Sequence, residues 1–293
     1  MTQEELDCYK EILKQVLFAF DEFCCKHDLN YFAACGTAIG AVRHNGFIPW
    51  DDDIDVYMLR EDYNQLLELR NELSLYTNYK IVNLGDEGYI YPFAKMIDKR
   101  TTLIEDKTYP SCIIGANIDI FPLDEAEGSI DEIQKKRDKY MLLYYRHLST
   151  YKRVSIRYIA SCIKHATISS LAISLSSMSK KRKIRQELID YEIELSKEKG
   201  TKLYMHRADF PLSKELYPKE WFKSYKYVPF EDIKIRINDH IDDYLRKLYG
   251  DYMTFPPIEE RIPKHIHYYL NLKEGLTERE IQARIRQGEF TVL

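Results

Sequence analysis

Two aspartates, Asp53 and Asp55, flank the first residue of an alternating apolar and polar stretch, residues 54–58. On a β-strand, side chains two residues apart point to the same face, so the two carboxylates would lie together while Ile54 and Val56 face the core. Neighbouring carboxylates repel each other unless a cation lies between them. Oxygen ligands suit magnesium, manganese or calcium. The pair therefore predicts a divalent metal site that serves phosphoryl-type transfer.

A third acid, Asp119, stands alone in the apolar run 117–121. Burial of an unpaired carboxylate is costly, so we expect Asp119 to face the same site and to act as the third metal ligand. The alternative is a solvated position at the edge of a strand.

A small turn, Gly36-Thr37, follows a short apolar run and precedes a predicted helix. Such a turn lets backbone N–H groups approach a phosphate, with assistance from the helix dipole. A purely structural turn is the alternative, since the sequence is neither a Walker loop nor a dinucleotide fingerprint.

The rival interpretation of the acidic run 51–55 is a calcium loop of the EF-hand type. Counted from Asp51, that loop needs glycine at its sixth position and glutamate at its twelfth, where this chain has Val56 and Asp62. A solvated acidic loop is the other alternative, and the apolar residues 47–50 argue against it.

The surrounding pattern predicts the elements that must hold these residues. Apolar residues at three- and four-residue spacing predict a helix over 3–27, and shorter runs predict strands and helices alternating up to about residue 125. This alternation is typical of a mixed α/β domain. The predicted strands are 31–35, 54–58, 79–83, 89–98 and 116–122, and residues 220–237 are predicted to be extended. The predicted helices are 36–42, 60–73, 130–148 and 239–248, the last ending before Gly250, and residues 151–200 are predicted to be mainly helical. Residues 254–267 are predicted to form a loop.

Composition excludes several classes of protein. The 293 residues carry a net charge of −4, so no overall basic field attracts nucleic acid. The first residues are polar and acidic, which does not resemble a signal peptide, and the six cysteines show no zinc-ligand spacing. We therefore expect a cytoplasmic protein that can associate with the inner face of the membrane.

Longer blocks resemble the LicD family. The first block runs from Gly36-Thr37 through Arg43-His44 and Gly46 to the acidic run. Later blocks are residues 95–98, 118–124 and 249–253 with Pro256-Pro257, Arg261 and His265. The resemblance covers about 28–125 and 217–267.

The resemblance implies an α/β (α+β) fold of the polymerase-beta nucleotidyltransferase type, a mixed sheet flanked by helices with a helical insertion. In that superfamily a Gly-Ser or Gly-Thr turn, an acid-x-acid strand and a third acid form the site, which map onto Gly36-Thr37, Asp53/Asp55 and Asp119. Family members transfer phosphocholine from CDP-choline to sugars of teichoic acid or lipopolysaccharide, and fukutin-like relatives transfer a phosphorylated polyol. Mg²⁺ or Mn²⁺ is the implied cofactor.

This framework assigns catalysis and metal binding to Asp53, Asp55 and Asp119. Asp51 and Asp52 have supporting roles, and Asp119 or Asp51 would accept the acceptor's proton. The predicted substrate-binding residues are Gly36, Thr37, Arg43, His44, Trp50, Lys95, Arg261 and His265, with His267, Tyr89 and Tyr91 as further candidates. For Arg43 the alternative is pairing with the acidic run, and for Lys95 it is a surface position.

We predict a catalytic core at 1–128, a basic and mainly helical insertion at 129–215, and a C-terminal segment at 216–293 that completes the site. Residues 139–186 contain eleven Lys or Arg and no Asp or Glu. This stretch suits an anionic membrane surface, where a lipid-linked glycan would be found, or a solvated helical face packed on the core. The expected partners are CDP-choline or another CDP-alcohol and a glycan. Nucleotidyl transfer, and metal and glycan binding without catalysis, remain the rival functions.

Overall fold

A long first helix forms one wall of the molecule. In this computed structural model, which describes residues 2–287 except 107, 108, 110, 153, 166, 264 and 266 and the side chains of 157 and 285, helix α1 spans Gln3–Lys26. Thr2 and Glu5 cap its start reciprocally, and its apolar side is buried, including Leu13 and Phe20. The helix predicted over 3–27 is confirmed.

Helices and strands alternate through the first half of the chain, and helices dominate the middle. The helices are α1, α2 (Cys35–His44), α3 (Arg60–Tyr76), α4 (Ile130–Ser149), α5 (Ile156–Lys164), α6 (Ile168–Ser174), α7 (Met178–Leu195), α8 (Leu212–Glu215), α9 (Ile241–Tyr249) and α10 (Glu278–Gln287). The strands are β1 (Phe32–Ala33), β2 (Asp55–Leu59), β3 (Tyr79–Val82), β4 (Ala94–Asp98), β5 (Thr102–Ile104), β6 (Asn117–Ala126), β7 (Lys202–Tyr204), β8 (Tyr217–Pro218), β9 (Tyr225–Phe230), β10 (Ile233–Asn238) and β11 (Tyr269–Asn271). Short 3₁₀ helices span Lys219–Phe222 and Ile258–Glu260.

One mixed sheet organises the fold. Its strands lie in the order β1-β2-β6-β4-β3, and β7 and β8 extend it from the far half of β6. The β2–β6 pair is parallel and the other pairs are antiparallel. A sheet of this kind with helices around it confirms the predicted mixed α/β class.

A buried ion-pair network attaches α7 to the sheet. Arg60, the first residue of α3, donates two hydrogen bonds to the carboxylate of Asp124 on β6, at 2.6 and 2.7 Å, and one to Glu192 on α7 at 3.0 Å. Burial alone would raise the pKa of Asp124, but Arg60 outweighs it and lowers that pKa. The charge of Asp124 is therefore compensated, and the helical segment is fixed to the strand that carries Asp119.

Several predicted boundaries are wrong for identifiable reasons. The strand predicted over 89–98 begins only at Ala94, since Pro92 interrupts the run. The strand predicted over 116–122 continues to Ala126, where β7 pairs with it. The segment predicted as extended over 220–237 forms the β9–β10 hairpin after a 3₁₀ turn. In the predicted loop 254–267, residues 264 and 266 lie outside the described part of the chain, and residues 258–260 form a 3₁₀ turn.

No helix within the described residues is long and apolar enough to cross a membrane.

Candidate active site

A row of three charged side chains crosses the centre of the sheet. Asp55 on β2 is level with Asp119 on β6, and Asp119 is level with Lys95 on β4. Residues at one level of neighbouring strands point to the same face, so the three groups share a face of the sheet. The acidic run and its predicted third acid are therefore brought together by strand register.

Strand β2 begins at Asp55 rather than at Ile54, so Asp53 lies in the extended segment before the strand. The ladder still reaches Ile54, whose carbonyl accepts a hydrogen bond from the backbone N–H of Asp119 at 2.8 Å. Ile54 is buried, whereas Asp53 and Asp55 are half-buried. This alternation agrees with the expectation that the two acids share a face.

The start of α2 is tied directly to β2. Cys35 has a positive φ of 46°, an unusual conformation for a side chain with a Cβ, and the hydroxyl of Tyr244 accepts a hydrogen bond from its N–H at 3.0 Å. Thr37 Oγ1 accepts a hydrogen bond from the N–H of Asp55 at 2.8 Å. In this structure the Thr37 side chain therefore helps to position β2, and its hydroxyl hydrogen as well as the backbone of the turn could donate to a phosphate.

Asp51 lies against the glycine of the same turn. A Cβ added to Gly36 would approach Oδ2 of Asp51 closely, so only glycine leaves room for that carboxylate. Burial and the neighbouring Asp53 raise the pKa of Asp51 to about 8. The Gly36 position is thus coupled to the acidic run.

We expect Gly36→Ala to lower phosphotransfer roughly 10²-fold, because the added methyl group displaces the Asp51 carboxylate within the site. The fold should tolerate the change, since Gly36 does not have a positive φ and the obstructing atom ends a side chain. Steady-state rates and thermal unfolding of Gly36→Ala and of Gly85→Ala, a glycine far along the chain, measure both effects. Equal activity of the two variants would contradict the coupling.

Asp52 is held by the C-terminal part of the chain. Its side chain is 1% exposed, and His265 Nδ1 lies 2.7 Å from Asp52 Oδ1, while His265 Nε2 lies 3.5 Å from Asp53 Oδ2. The hydrogen bond with Asp52 raises the pKa of His265 to about 10. Asp52 therefore supports the site by holding the imidazole of His265, and His265 contacts the acidic run.

The residues present fit a divalent cation. Oxygen and nitrogen atoms of Asp52, Asp53 and His265 lie within 4.8 Å of one another, the one such group in the described part of the chain. Asp52 Oδ2 and both ring nitrogens of the buried His267 have no hydrogen-bond partner among the described residues. Vacant lone pairs of this kind are what a cation would use.

The electrostatics point the same way. Burial raises the pKa of Asp55 far above its usual range, and Asp53 and Asp119 raise it further. Burial also raises the pKa of Asp53 and of Asp119, against the opposing charges of His265 and Lys95. The site thus carries more negative charge than its own cations balance. Among the described residues, Asp52, Asp53 and His265 have ligand atoms that all lie within 4.8 Å of one another, and Asp53, Asp55 and Asp119 do not form such a group. Asp53 belongs to both sets.

Lys95 is fully engaged inside the site. It is 2% exposed, so the alternative of a surface position is wrong. Its ammonium group donates to Asp119 Oδ1 at 2.6 Å, Glu105 Oε1 at 2.9 Å and Asn117 Oδ1 at 3.0 Å. An ammonium group has three N–H donors, so these acceptors occupy all of them. Burial favours the neutral amine, but Asp119 and Glu105 outweigh it and raise the pKa of Lys95.

Beside the acidic run lies an arginine–aromatic cluster, made of Arg43, His44, Trp50, Phe255 and Arg261. The guanidinium carbons of Arg43 and Arg261 lie 4.6 and 5.2 Å from the centre of the Phe255 ring, and that of Arg261 lies 5.5 Å from Trp50. His44 packs edge-on against Trp50 and Phe255. Neither arginine forms an ion pair within the described residues, so the cluster presents two positive charges without an anion.

Arg43 is held by a backbone carbonyl and a histidine ring, and not by an acidic side chain of the described residues. Its Nη1 donates to the carbonyl of Tyr252 at 2.6 Å, and its Nε donates to His44 at 3.0 Å. Burial and the neighbouring Arg261 lower the pKa of Arg43. The suggested pairing of Arg43 with the acidic run is therefore wrong, and the position suits recognition of an anionic group.

The structure adds site residues that the sequence did not single out. Glu105 and Asn117 hold Lys95, and Tyr9 of α1 packs edge-on against His267. Arg207 lies 5.1 Å from the Phe93 ring, and its charge acts on Asp119 and Asp55. Glu105 follows directly after strand β5, so its position could have been noticed in the sequence, whereas no sequence motif marks Arg207. Tyr91 lies near the site, 4.8 Å from Lys95 Nζ, and Tyr89 packs against Tyr91.

The chain is similar to known proteins over most of its length. A family model described as LicD/FKTN/FKRP, nucleotidyltransferase domain, matches residues 28–158. The chain is 30% identical over 254 residues to the lipopolysaccharide cholinephosphotransferase LicD of Haemophilus influenzae, which covers 86% of this chain and 92% of that protein. It is also 29% identical over 154 residues to an uncharacterised protein of Rickettsia typhi, an alignment that covers 46% of this chain and 49% of that protein. It is 26% identical over 155 residues to an uncharacterised protein of Rickettsia prowazekii, with coverage of 46% of this chain and 58% of that protein.

Proposed function

The chain belongs to the LicD family and is a LicD-type phosphotransferase, and from this premise we propose that it transfers phosphocholine from CDP-choline to a hydroxyl group of a cell-surface glycan. The observation that carries the proposal is the row of Asp55, Asp119 and Lys95 beside the acidic run. Ethanolamine or a polyol are the alternative head groups, and lipopolysaccharide, teichoic acid and capsule are the candidate acceptors.

In the proposed reaction the glycan hydroxyl oxygen attacks the β-phosphorus in line with the bond to CMP. That bond breaks, CMP leaves with the electron pair, and a phosphodiester between choline and the glycan forms. Asp53, Asp55 and Asp119 would hold a divalent metal ion, which neutralises the charge of the diphosphate when it is bound. Asp52 would add a ligand atom beside Asp53, and so would His265 once its imidazole has lost the extra proton.

The other residues orient and bind. Lys95 fixes one oxygen of Asp119, and the proton of the glycan hydroxyl would pass to Asp119 or to Asp51. Arg43 and Arg261 would bind phosphate oxygens of the donor, since they are cations without a described acidic partner. Trp50 would contact the same ligand, and the half-buried Tyr91 would offer an aromatic face to a quaternary ammonium group, whereas Tyr89 is 4% exposed and packs against Tyr91.

We expect the purified protein to release CMP from CDP-choline when magnesium or manganese and a candidate glycan are present, and to stop when EDTA is added. The measurement is chromatography of the nucleotide product together with mass spectrometry of the glycan, which should gain one phosphocholine. Parallel reactions with CDP-ethanolamine and CDP-ribitol identify the head group.

Nucleotidyl transfer is the rival with the same fold, and it predicts pyrophosphate from CTP and no CMP. A protein that releases pyrophosphate from CTP and leaves CDP-choline intact would refute the proposal. Binding of metal or glycan without turnover of any nucleotide would support the non-catalytic alternative.

A further inference from the structure

Two short helices of the middle segment expose large apolar side chains. On α5, Ile156 and Ile163 are 87% and 66% exposed, and on α6 and its C-cap, Ile168 and Leu175 are 63% and 65% exposed. Within each pair the residues are seven apart, so each pair lies on one side of its helix. Ala160 and Ala172, between them, are exposed as well.

The inner sides of these helices combine apolar and polar contacts. Cys162 is buried, and Ile159, Leu171 and Ile173 are half-buried. The hydroxyl of Ser174 is buried and donates to the carbonyl of Ser149 on α4 at 2.7 Å, and the hydroxyls of Tyr158 and Ser174 lie 3.2 Å apart. A helix packed on a protein core normally buries its apolar side. The large apolar residues left exposed on α5 and α6 are therefore in excess of what this packing uses.

Basic residues follow along the chain at the start of α7. Lys180, Arg182 and Lys183 are exposed, and no described residue forms an ion pair with them. The first turn of α7 contains no acid, although the positive end of the helix dipole favours acids there. Residues 139–186 carry a charge of +11, so the rest of the chain carries −15. The charge is thus concentrated on the part of the molecule that exposes the apolar stripes.

We propose that this docking face, formed by the outer sides of α5 and α6 and the first turns of α7, binds the surface of an anionic phospholipid membrane. Exposed isoleucine and leucine would enter the boundary between head groups and acyl chains, while lysine and arginine contact the anionic head groups. A second copy of the chain that docks through the same face is disfavoured as the occupant, since it would bring +11 against +11. For the proposed function, docking brings the enzyme to a lipid-linked acceptor.

The test is co-sedimentation of the full chain with vesicles of phosphatidylcholine alone or with 30% phosphatidylserine, without nucleotide or glycan. We expect binding only to the anionic vesicles, and weaker binding as salt is raised. Lys180→Glu/Lys183→Glu should lower the partition coefficient at least 25-fold, at roughly fivefold per basic residue. Ile156→Ser/Ile163→Ser should lower it at least tenfold at every salt concentration.

Matched controls use exposed residues elsewhere. Lys135→Glu and Leu75→Ser change the same kinds of side chain on α4 and α3 and should leave vesicle binding unchanged. All variants should keep the wild-type circular dichroism spectrum and CDP-choline turnover with a soluble acceptor. Equal binding to neutral and anionic vesicles, or equal loss in the control variants, would overturn the proposal. So would sedimentation equilibrium that shows Ile156→Ser/Ile163→Ser separating a dimer without loss of vesicle binding. A protein that binds vesicles but does not turn over CDP-choline would refute only the proposed function.

Discussion

Asp55→Asn is expected to lower phosphotransfer on the order of 10³-fold while the folded protein becomes no less stable. Asp55 is the acid that strand register places beside Asp119, and its carboxylate is the group that would hold the metal ion. Burial, Asp53 and Asp119 all raise its pKa, so at neutral pH the ionised side chain opposes folding. Asparagine keeps the shape and removes the charge.

The measurement combines steady-state rates with thermal unfolding. Without metal, Asp55→Asn should unfold at the wild-type temperature or above it. Added manganese should raise the unfolding temperature of the wild type and not that of the variant, because ligand that binds only the folded state stabilises it. Asp138→Asn, an exposed position on α4, is the control. A variant that retains wild-type turnover would eliminate the proposed metal site at Asp55.

Lys95→Met is expected to lower both stability and activity. Methionine preserves the approximate volume of the side chain, but it leaves the carboxylates of Asp119 and Glu105 without the cation that lies between them. Loss of one partner from a buried ion pair costs about 3–5 kcal/mol. For a protein of this size that corresponds to roughly 5–8 °C in unfolding temperature.

The effect on activity tests whether Lys95 acts through Asp119. Because the ammonium group already donates to three acceptors, its loss should lower kcat by releasing Asp119, with little change in KM for CDP-choline. Lys80→Met, at an exposed position of the neighbouring strand β3, should have neither effect. A large rise in KM at unchanged kcat would instead indicate that Lys95 binds the donor directly.

Sequence reasoning located the acids but not the partners that fold onto them. Asp53, Asp55 and Asp119 were identifiable because acids in apolar strands are uncommon and need a reason. Which strands become neighbours depends on pairing between distant segments, so the level placement of Asp55, Asp119 and Lys95 could not be derived from spacing. The C-terminal histidine was expected near the site only through the resemblance to a family.

The same division holds for the fold. Long helices such as α1 and α4 were predictable, because their apolar periodicity extends over five or more turns. Strands of two or three residues, such as β7 and β8, were missed because they are too short to show a pattern. In α5 and α6 the periodicity was visible, but an apolar stripe does not state whether it faces a core or the outside. The structure shows that Ile156, Ile163, Ile168 and Leu175 are exposed, whereas Cys162 is buried.

The contact between Asp52 and His265 joins residues separated by 213 positions. During synthesis the acidic run leaves the ribosome early, whereas His265 is added near the end of the sequence, after roughly 10–40 s at ordinary translation rates. A nascent chain therefore carries its clustered aspartates for most of that time without the imidazole that balances one of them. An incomplete chain would have the sheet residues of the site but not the finished set of ligands, so premature termination should yield a polypeptide that is inert toward nucleotides rather than one that hydrolyses them without control.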